Sequence, residues 1–410
     1  MSGAPRPVSE FELPEFVRQL GEIFEGDPPP PDVLHSSLSA LEIDRAIGIF
    51  DGGRLVATAA AHTLPLSLPG SGWVSGAAVT AVTVQPTHRR RGLLTSLMRH
   101  QLDDVRARGE PVAFLWASEA PIYGRFGYGL GCYSCSLEVA RPWSAFREAV
   151  DLGGLRYVDR TEALEAFPAL AAAAARGRPG FVQRSPGLWQ QDLADHPSRR
   201  GGSSHQYLVQ HAGAAGPDGY AIYRKRMPAE EGDSGDEPRL HVSELVAASP
   251  AAYAALWRHC LDIDLMASVK AGNQAMDEPL RHLLADARAM RVTVADGLWV
   301  RLVDVRAALA ARTYQVPGTV VLEVQDEFCP WNAGRVRLEA AEEGASCEPA
   351  DTAEPDVTLS AAALAACYLG GNRLTALAAA GQVAECRSGA LARADRMFGW
   401  PVAPSCPLVF

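Results

Sequence analysis

Residues 79–95, VTAVTVQPTHRRRGLLT, constrain the fold of this chain more than any other stretch. β-Branched residues dominate Val79–Val84, Pro86 stops the strand, and three arginines with Gly92 make a turn. Leu93, Leu94, Leu97, Met98, Leu102 and Val105 then share one face of a 3.6-period helix. A strand that hands over to an amphipathic helix belongs to a sheet with helices packed on it. The next segment, PVAFLWAS, is nearly continuously apolar, the pattern of a strand buried on both faces. Mixed α/β architecture follows. The turn also has a chemical consequence. Backbone N–H groups at the helix start and the positive end of the helix dipole converge on one point, a place for a phosphate or pyrophosphate.

Around this unit the pattern continues. SEFELPEFVRQLGEIF predicts a helix with Ser9 as cap and Glu12 three residues on. RAIGIFDGGRLVATAAAHT predicts a hairpin over Asp51, Gly52 and Gly53, and SEAPIYGRFGYG a second strand–turn–helix. Further along come an alanine-rich helix over Thr161–Arg176, a strand pair in HQYLVQHAG and GYAIYRKRM, and an acidic loop at 228–238. The strand RLHVSELVAA and the helix SPAAYAALWRHCLDI follow. This order repeats that of the first region without an RRRG equivalent, which predicts a related core lacking the phosphate site. The last hundred residues predict a hairpin (TVVLEVQD, GRVRLEAA), a polar stretch over Ala341–Pro355 and the strand DVTLS. Helices over Ala361–Leu369 and Leu374–Ala380 come next, then an extended tail, WPVAPSCPLVF. An apolar end is unusual, because chain ends fray unless docked.

The chain has 410 residues, too many for one ordinary core. A formal charge of −10 excludes nonspecific nucleic-acid binding and is compatible with a cationic substrate. No apolar run reaches the roughly 20 residues needed to span a bilayer, so membrane insertion is not expected. MSGAPRPVSEFELPEF lacks the basic start and apolar core of a signal peptide. Eight scattered cysteines point to a reducing cytoplasm rather than a disulfide framework. Cys132 and Cys135 form a CxxC with no second pair or nearby histidine, so they read as ordinary strand residues and no metal is expected.

Acyl transfer from a coenzyme A thioester fits the first region piece by piece. Arg90–Thr95 offer N–H donors to the pyrophosphate. Val82, Thr83 and Val84 offer a strand edge to the amides of the pantetheine arm and an N–H to the thioester carbonyl. Room for the arm requires Ala81–Val84 to part from Val112–Ala117. The leaving thiolate needs a proton, and a tyrosine hydroxyl with a pKa of about 10 is matched to that task. Tyr123 is favoured by its position beyond the second strand, with Tyr128 and Tyr133 as alternatives. Ala81–Gln85 contains no carboxylate or histidine, so the base must come from elsewhere. Glu119 reads as a helix cap and Asp27 as a solvated loop acid. His62, His88 and His100 read as ordinary surface or core residues.

VTVQPTHRRRGLLT followed by SEAPIYGRFGYG resembles the GCN5-related N-acetyltransferase (GNAT) superfamily and, more narrowly, the Eis family of actinobacterial acetyltransferases. The superfamily signature, Gln/Arg-x-x-Gly-x-Gly/Ala, is met from Arg89 to Leu94 except at Leu94, where the Eis family carries an aliphatic residue. The resemblance covers the whole chain. It implies two tandem GNAT-like α/β domains (1–148 and a degenerate 149–300) followed by a sterol-carrier-like domain (301–410). It further implies acetyl-CoA as acetyl donor, contacted by Val82, Thr83, Val84, Arg90, Arg91, Gly92, Leu93, Leu94, Thr95, Ser118 and Glu119. Tyr123 would be the general acid and the terminal carboxylate of Phe410 the general base. The implied acceptors are amines of aminoglycosides, polyamines or lysine side chains, and the implied assembly is a cytoplasmic homohexamer, a trimer of dimers. The reading from a different class is an apolar-ligand-binding protein whose acetyltransferase domain is vestigial.

Overall fold

The strand expected at Val79–Val84 is the end of a longer one, Trp73–Val84, at the centre of a seven-stranded sheet. The computed structural model containing it describes residues 3–228 and 237–410, so the middle of the predicted acidic loop lies outside the described residues. The sheet order is Arg6–Pro7, Ile47–Asp51, Arg54–Ser67, Trp73–Val84, Val112–Trp116, Leu298–Leu302, Gly129–Leu130. Neighbours are antiparallel except Trp73–Val84 and Val112–Trp116, whose crossover is the predicted helix, here Leu93–Ala107. That helix buries Leu93, Leu97, Met98, Leu102 and Val105, and much of this face meets Ala61, Ala77, Val79, Ala113 and Leu115 of the sheet. The hairpin closes with Asp51 opposite Arg54 as expected.

The sheet's sixth strand comes from far downstream. Leu298–Leu302 pairs with Val112–Trp116 on one side and with Gly129–Leu130 on the other. Its Arg301 is fully buried and pairs with Asp326 at 2.7 Å. Against this strand lies a departure from expectation. SEAPIYGRFGYG forms two 3-10 turns, Ala120–Ile122 and Gly124–Phe126, instead of a helix. The turns end at Gly127 (φ +81°), which presses on the Arg301 guanidinium so closely that a Cβ would lie 2.5 Å from its Nη1.

The same compact unit, formed by residues up to Tyr133 with Gly177–Val182 and Asp296–Phe410, holds a five-stranded sheet. Its order is Gly344–Pro349, Gly334–Ala341, Gly318–Gln325, Val357–Ser360, Val383–Glu385. The stretch read as polar connection thus contains an edge strand, Gly344–Pro349, paired with Gly334–Ala341 and mostly exposed. A further helix, Ala390–Phe398, precedes the tail.

The second unit, Ser134–Arg176 with Gln183–Ala295, repeats the first sheet's plan. Its strands run Gly154–Tyr157, Tyr207–Gly213, Gly216–Arg226, Arg239–Ala247, Ser268–Gln274, Tyr133–Ala140, Met290–Asp296. Arg239–Ala247 and Ser268–Gln274 pair in parallel, joined by the helix Pro250–Asp262, which buries Leu256, Trp257, Cys260 and Leu261. Among the described residues no helix is long and apolar enough to cross a membrane.

Candidate active site

Parallel pairing of Trp73–Val84 with Val112–Trp116 joins only Gly76–Ala78 to Val112–Phe114. Beyond Ala78 the strands part, as the sequence requires for a ligand arm. On the opposite edge the register with Arg54–Ser67 slips between Thr58/Thr83 and Ala60/Thr80, and Ala81 takes a left-handed φ of +57°. Such a bulge bends its strand and strips ladder partners from the backbone. Buried side chains replace them. Thr58 donates its hydroxyl to the Ala81 carbonyl at 2.7 Å. With that proton used, Thr58 Oγ1 accepts from Thr83 Oγ1 at 2.6 Å, and Thr83 in turn accepts from Gln19 Nε2 at 2.9 Å. Gln101 Nε2 donates to the Ala60 carbonyl at 2.9 Å.

The freed edge Val82–Val84 opens on a cavity of about 520 Å³. A second wall is the turn and helix start: His88, Arg89, Arg90, Gly92, Leu93, Leu94 and Thr95. Arg90 (φ +61°) and Gly92 (φ +80°) are both left-handed, two positions apart, the kind of backbone that cups N–H groups toward an anion. The helix ladder starts with the Ser96 N–H on the Gly92 carbonyl (3.0 Å), so the N–H groups of Leu93, Leu94 and Thr95 precede it. His88 ties the turn to the hairpin, with Nε2 at 3.3 Å from Asp51 Oδ2 and Nδ1 at 2.8 Å from Thr87 Oγ1. The third wall is Ser118, Glu119, Ile122, Tyr123 and Arg125, and the fourth is Ile23 and Phe24 at the end of the helix Leu13–Phe24.

Tyr123 is the one of the three tyrosines that lines this cavity. It is 5% exposed, and its ring stands edge-on to Tyr128 with centroids 5.8 Å apart. Burial, reinforced by the Glu119 charge, pushes its phenol pKa up to about 12. It therefore holds its proton at neutral pH and can act as a donor. Tyr128 is fully buried against Phe126 and Cys329, and Tyr133 is exposed on a strand outside the cavity.

Of the residues implied as acetyl-CoA contacts, general acid or general base, Arg91 and Phe410 lie outside the cavity walls. Arg91 turns its guanidinium back, donating from Nη2 to the Thr87 carbonyl at 2.8 Å. Phe410 seats its ring edge-on to Phe114, centroids 5.7 Å apart. Trp116 Nε1 donates to the Leu408 carbonyl at 2.7 Å, so the tail docks on the strand that leads to Ser118 and Glu119. Reading the sequence missed His88, Arg89 and Arg125 as lining groups, and Gln19 and Gln101 as supports of the bulge. The two glutamines carry a signal: each interrupts an apolar helix stripe, Gln19 beside Phe16 and Gln101 between Leu97 and Val105.

A split parallel pair, a bulged strand and a basic glycine turn at a helix start are the working parts of a GNAT acyltransferase. Family models for the acetyltransferase (GNAT) domain match residues 4–131 and 180–306, and one for the sterol carrier protein domain matches 305–407. The molecule is an N-acetyltransferase with two tandem GNAT domains and a sterol-carrier-like domain, as expected, and GNAT-fold acetyltransferases use acetyl-CoA. It is 43% identical to an uncharacterized N-acetyltransferase of Streptomyces coelicolor over 415 residues, 99% of each chain. It is 36% identical to the N-acetyltransferase Eis of Mycobacterium tuberculosis over 360 residues, 86% of this chain and 85% of that one. The crystal structure of Eis1 from Mycobacterium abscessus, 36% identical, superposes with a TM-score of 0.86 over 100% of both chains. The chain belongs to the Eis family of N-acetyltransferases.

Proposed function

We propose that this enzyme transfers the acetyl group of acetyl-CoA to amines of cationic small molecules, with Tyr123 as general acid and the terminal carboxylate of Phe410 as general base. The observation that carries the reading is the cavity in which a parted strand edge, a cupped basic turn and a protonated tyrosine meet. Acetyl-CoA supplies the activated acetyl thioester. Arg90–Thr95 hold its pyrophosphate, Arg91 through its backbone, and Ser118 and Glu119 close the far wall. Val82–Val84 pair with the pantetheine amides and present an N–H to the thioester carbonyl, where negative charge develops. Tyr123 gives its proton to the departing sulfur.

The cofactor strand has no base of its own, and the docked tail supports Phe410 in that role: its carboxylate takes the proton from the attacking amine. The charge of −10 supports a cationic acceptor, and the family resemblance supports aminoglycosides, polyamines or lysine side chains. The same resemblance supports domain limits at 1–148, 149–300 and 301–410 and a cytoplasmic homohexamer.

The test is to append two glycines after Phe410 and, separately, to make Tyr123→Phe. Each change lowers kcat by about 10²-fold or more while the KM for acetyl-CoA stays near that of the parent enzyme. Undiminished turnover in the extended chain removes Phe410 from the mechanism, and undiminished turnover in Tyr123→Phe removes Tyr123. Comparing aminoglycoside, polyamine and lysyl-peptide turnover ranks the acceptors.

A further inference from the structure

We propose that the strap Gly177–Val182, with Arg178 as its positioning residue, clamps the C-terminal tail and so fixes where the chain's terminal carboxylate lies; this rests on the reading of that carboxylate as the base. By sequence the strap lies between two helices of the second unit, Arg160–Ala174 and Pro186–Asp192, yet it packs into the unit that holds the cavity.

One side of the strap is fastened to the end of the strand Arg54–Ser67. The Gly180 N–H donates to the Ser67 carbonyl and the Ser67 N–H to the Phe181 carbonyl, both at 2.9 Å. The Ser67 side chain doubles the attachment, donating to the Arg178 carbonyl and accepting from the Phe181 N–H, both at 2.8 Å. Ser67 is itself only 2% exposed. The other side holds the tail. Arg178 Nη1 donates to the Ala403 carbonyl at 2.6 Å, and the Ser405 N–H donates to the Pro179 carbonyl at 2.9 Å. Gly180 has φ +87°, and a Cβ there would come 3.2 Å from Ser405 N, so the close approach requires glycine.

The tail after Phe398 has no helix or strand to order it. A terminal segment without such a tether frays, and a reacting group displaced by about 1 Å can lose on the order of 10²-fold in rate. The strap supplies the tether, with the bond from Trp116 to Leu408 as a second anchor nearer the end. A segment of the central domain sequence thereby serves catalysis in a cavity it does not line.

The experiment combines Arg178→Ala, Arg178→Lys and Gly180→Ala with amide hydrogen exchange of residues 405–408 and steady-state kinetics. Arg178→Ala and Gly180→Ala are expected to speed exchange across 405–408 and to lower kcat by about tenfold, leaving the KM for acetyl-CoA unchanged. Arg178→Lys, which keeps a donor, restores most of both. In a chain lacking Phe410, Arg178→Ala lowers kcat no further. Unchanged exchange at 405–408 in both Arg178→Ala and Gly180→Ala overturns the clamp, as does a kcat loss that persists undiminished when Phe410 is absent. If deletion of Phe410 itself leaves kcat intact, the terminal-base reading fails, and the exchange rates still decide whether the strap holds the tail.

Discussion

In the first GNAT domain, Gln85–Gly92 separate the central strand from its crossover helix; in the second, Ala248 and Ser249 alone separate Ala247 from Pro250. The long turn has room for two left-handed residues, and the first helical N–H groups stay available to a ligand. The short one closes on itself. Ser249 Oγ accepts from the Ala252 N–H at 3.1 Å and donates to Asp218 Oδ2 at 2.7 Å. Burial pushes the Asp218 carboxyl up, but the bonds from His211 and Ser249 outweigh it and hold it below its ordinary value. The second domain's helix start thus already faces an anion of the chain's own. Farther back on that strand Glu244 is buried and gripped by Arg184, with both contacts at 3.0 Å, where the first domain presents the uncharged edge Val82–Val84. One sheet plan serves as a site or as a scaffold according to the turn and to what the strand buries.

The largest effect expected from breaking this contrast is at Arg184. Arg184→Met leaves Glu244 and Asp192 without their counter-charge, which costs about 3–5 kcal/mol. Urea denaturation should show that loss, with the KM for acetyl-CoA unchanged in the remaining folded enzyme. Next is Gly92→Ala. No atom lies within 4 Å of the new Cβ, so the effect is conformational: holding a non-glycine at φ +80° costs about 1–2 kcal/mol. Kinetics should show the KM for acetyl-CoA raised on the order of tenfold with kcat retained. Ser249→Ala, at the matching turn of the second domain, should lower stability by about 1 kcal/mol through the lost cap. Its acetyl-CoA kinetics should not change; a raised KM would show that this turn contributes to cofactor binding. The smallest effect is at Glu119. Its negative charge opposes formation of the Tyr123 phenolate, so Glu119→Gln should move the phenol pKa down from about 12. Burial, the larger cause, remains, so the alkaline limb of the kcat profile shifts only modestly to lower pH.

Features carried by contiguous sequence were legible: the Asp51–Gly53 hairpin, the strand–turn–helix at 79–107, and the absence of RRRG from the second domain. The family resemblance supplied the domain order. What could not be read was long-range. Leu298–Leu302 is apolar apart from Arg301, and nothing local says that it pairs with Val112–Trp116. Gly344–Pro349 is an edge strand with one neighbour, mostly exposed and without an apolar run, so it resembles a loop. The strap at Gly177–Val182 makes most of its contacts through backbone groups, which every residue carries, and its one side-chain bond to the tail, from Arg178 to the Ala403 carbonyl, spans 225 residues with no local pattern to announce it. The expected helix at Ala120 is replaced by two 3-10 turns that end at Gly127, and no local pattern says that this glycine packs on Arg301, far away in sequence.

Only the first of the two similar GNAT domains is expected to hold acetyl-CoA. Amide hydrogen exchange with and without acetyl-CoA tests it on the intact enzyme. Binding should slow exchange at Val82–Val84 and Arg90–Thr95 and leave exchange at 245–252 unchanged. Equal protection of 245–252, or none at Arg90–Thr95, would contradict it.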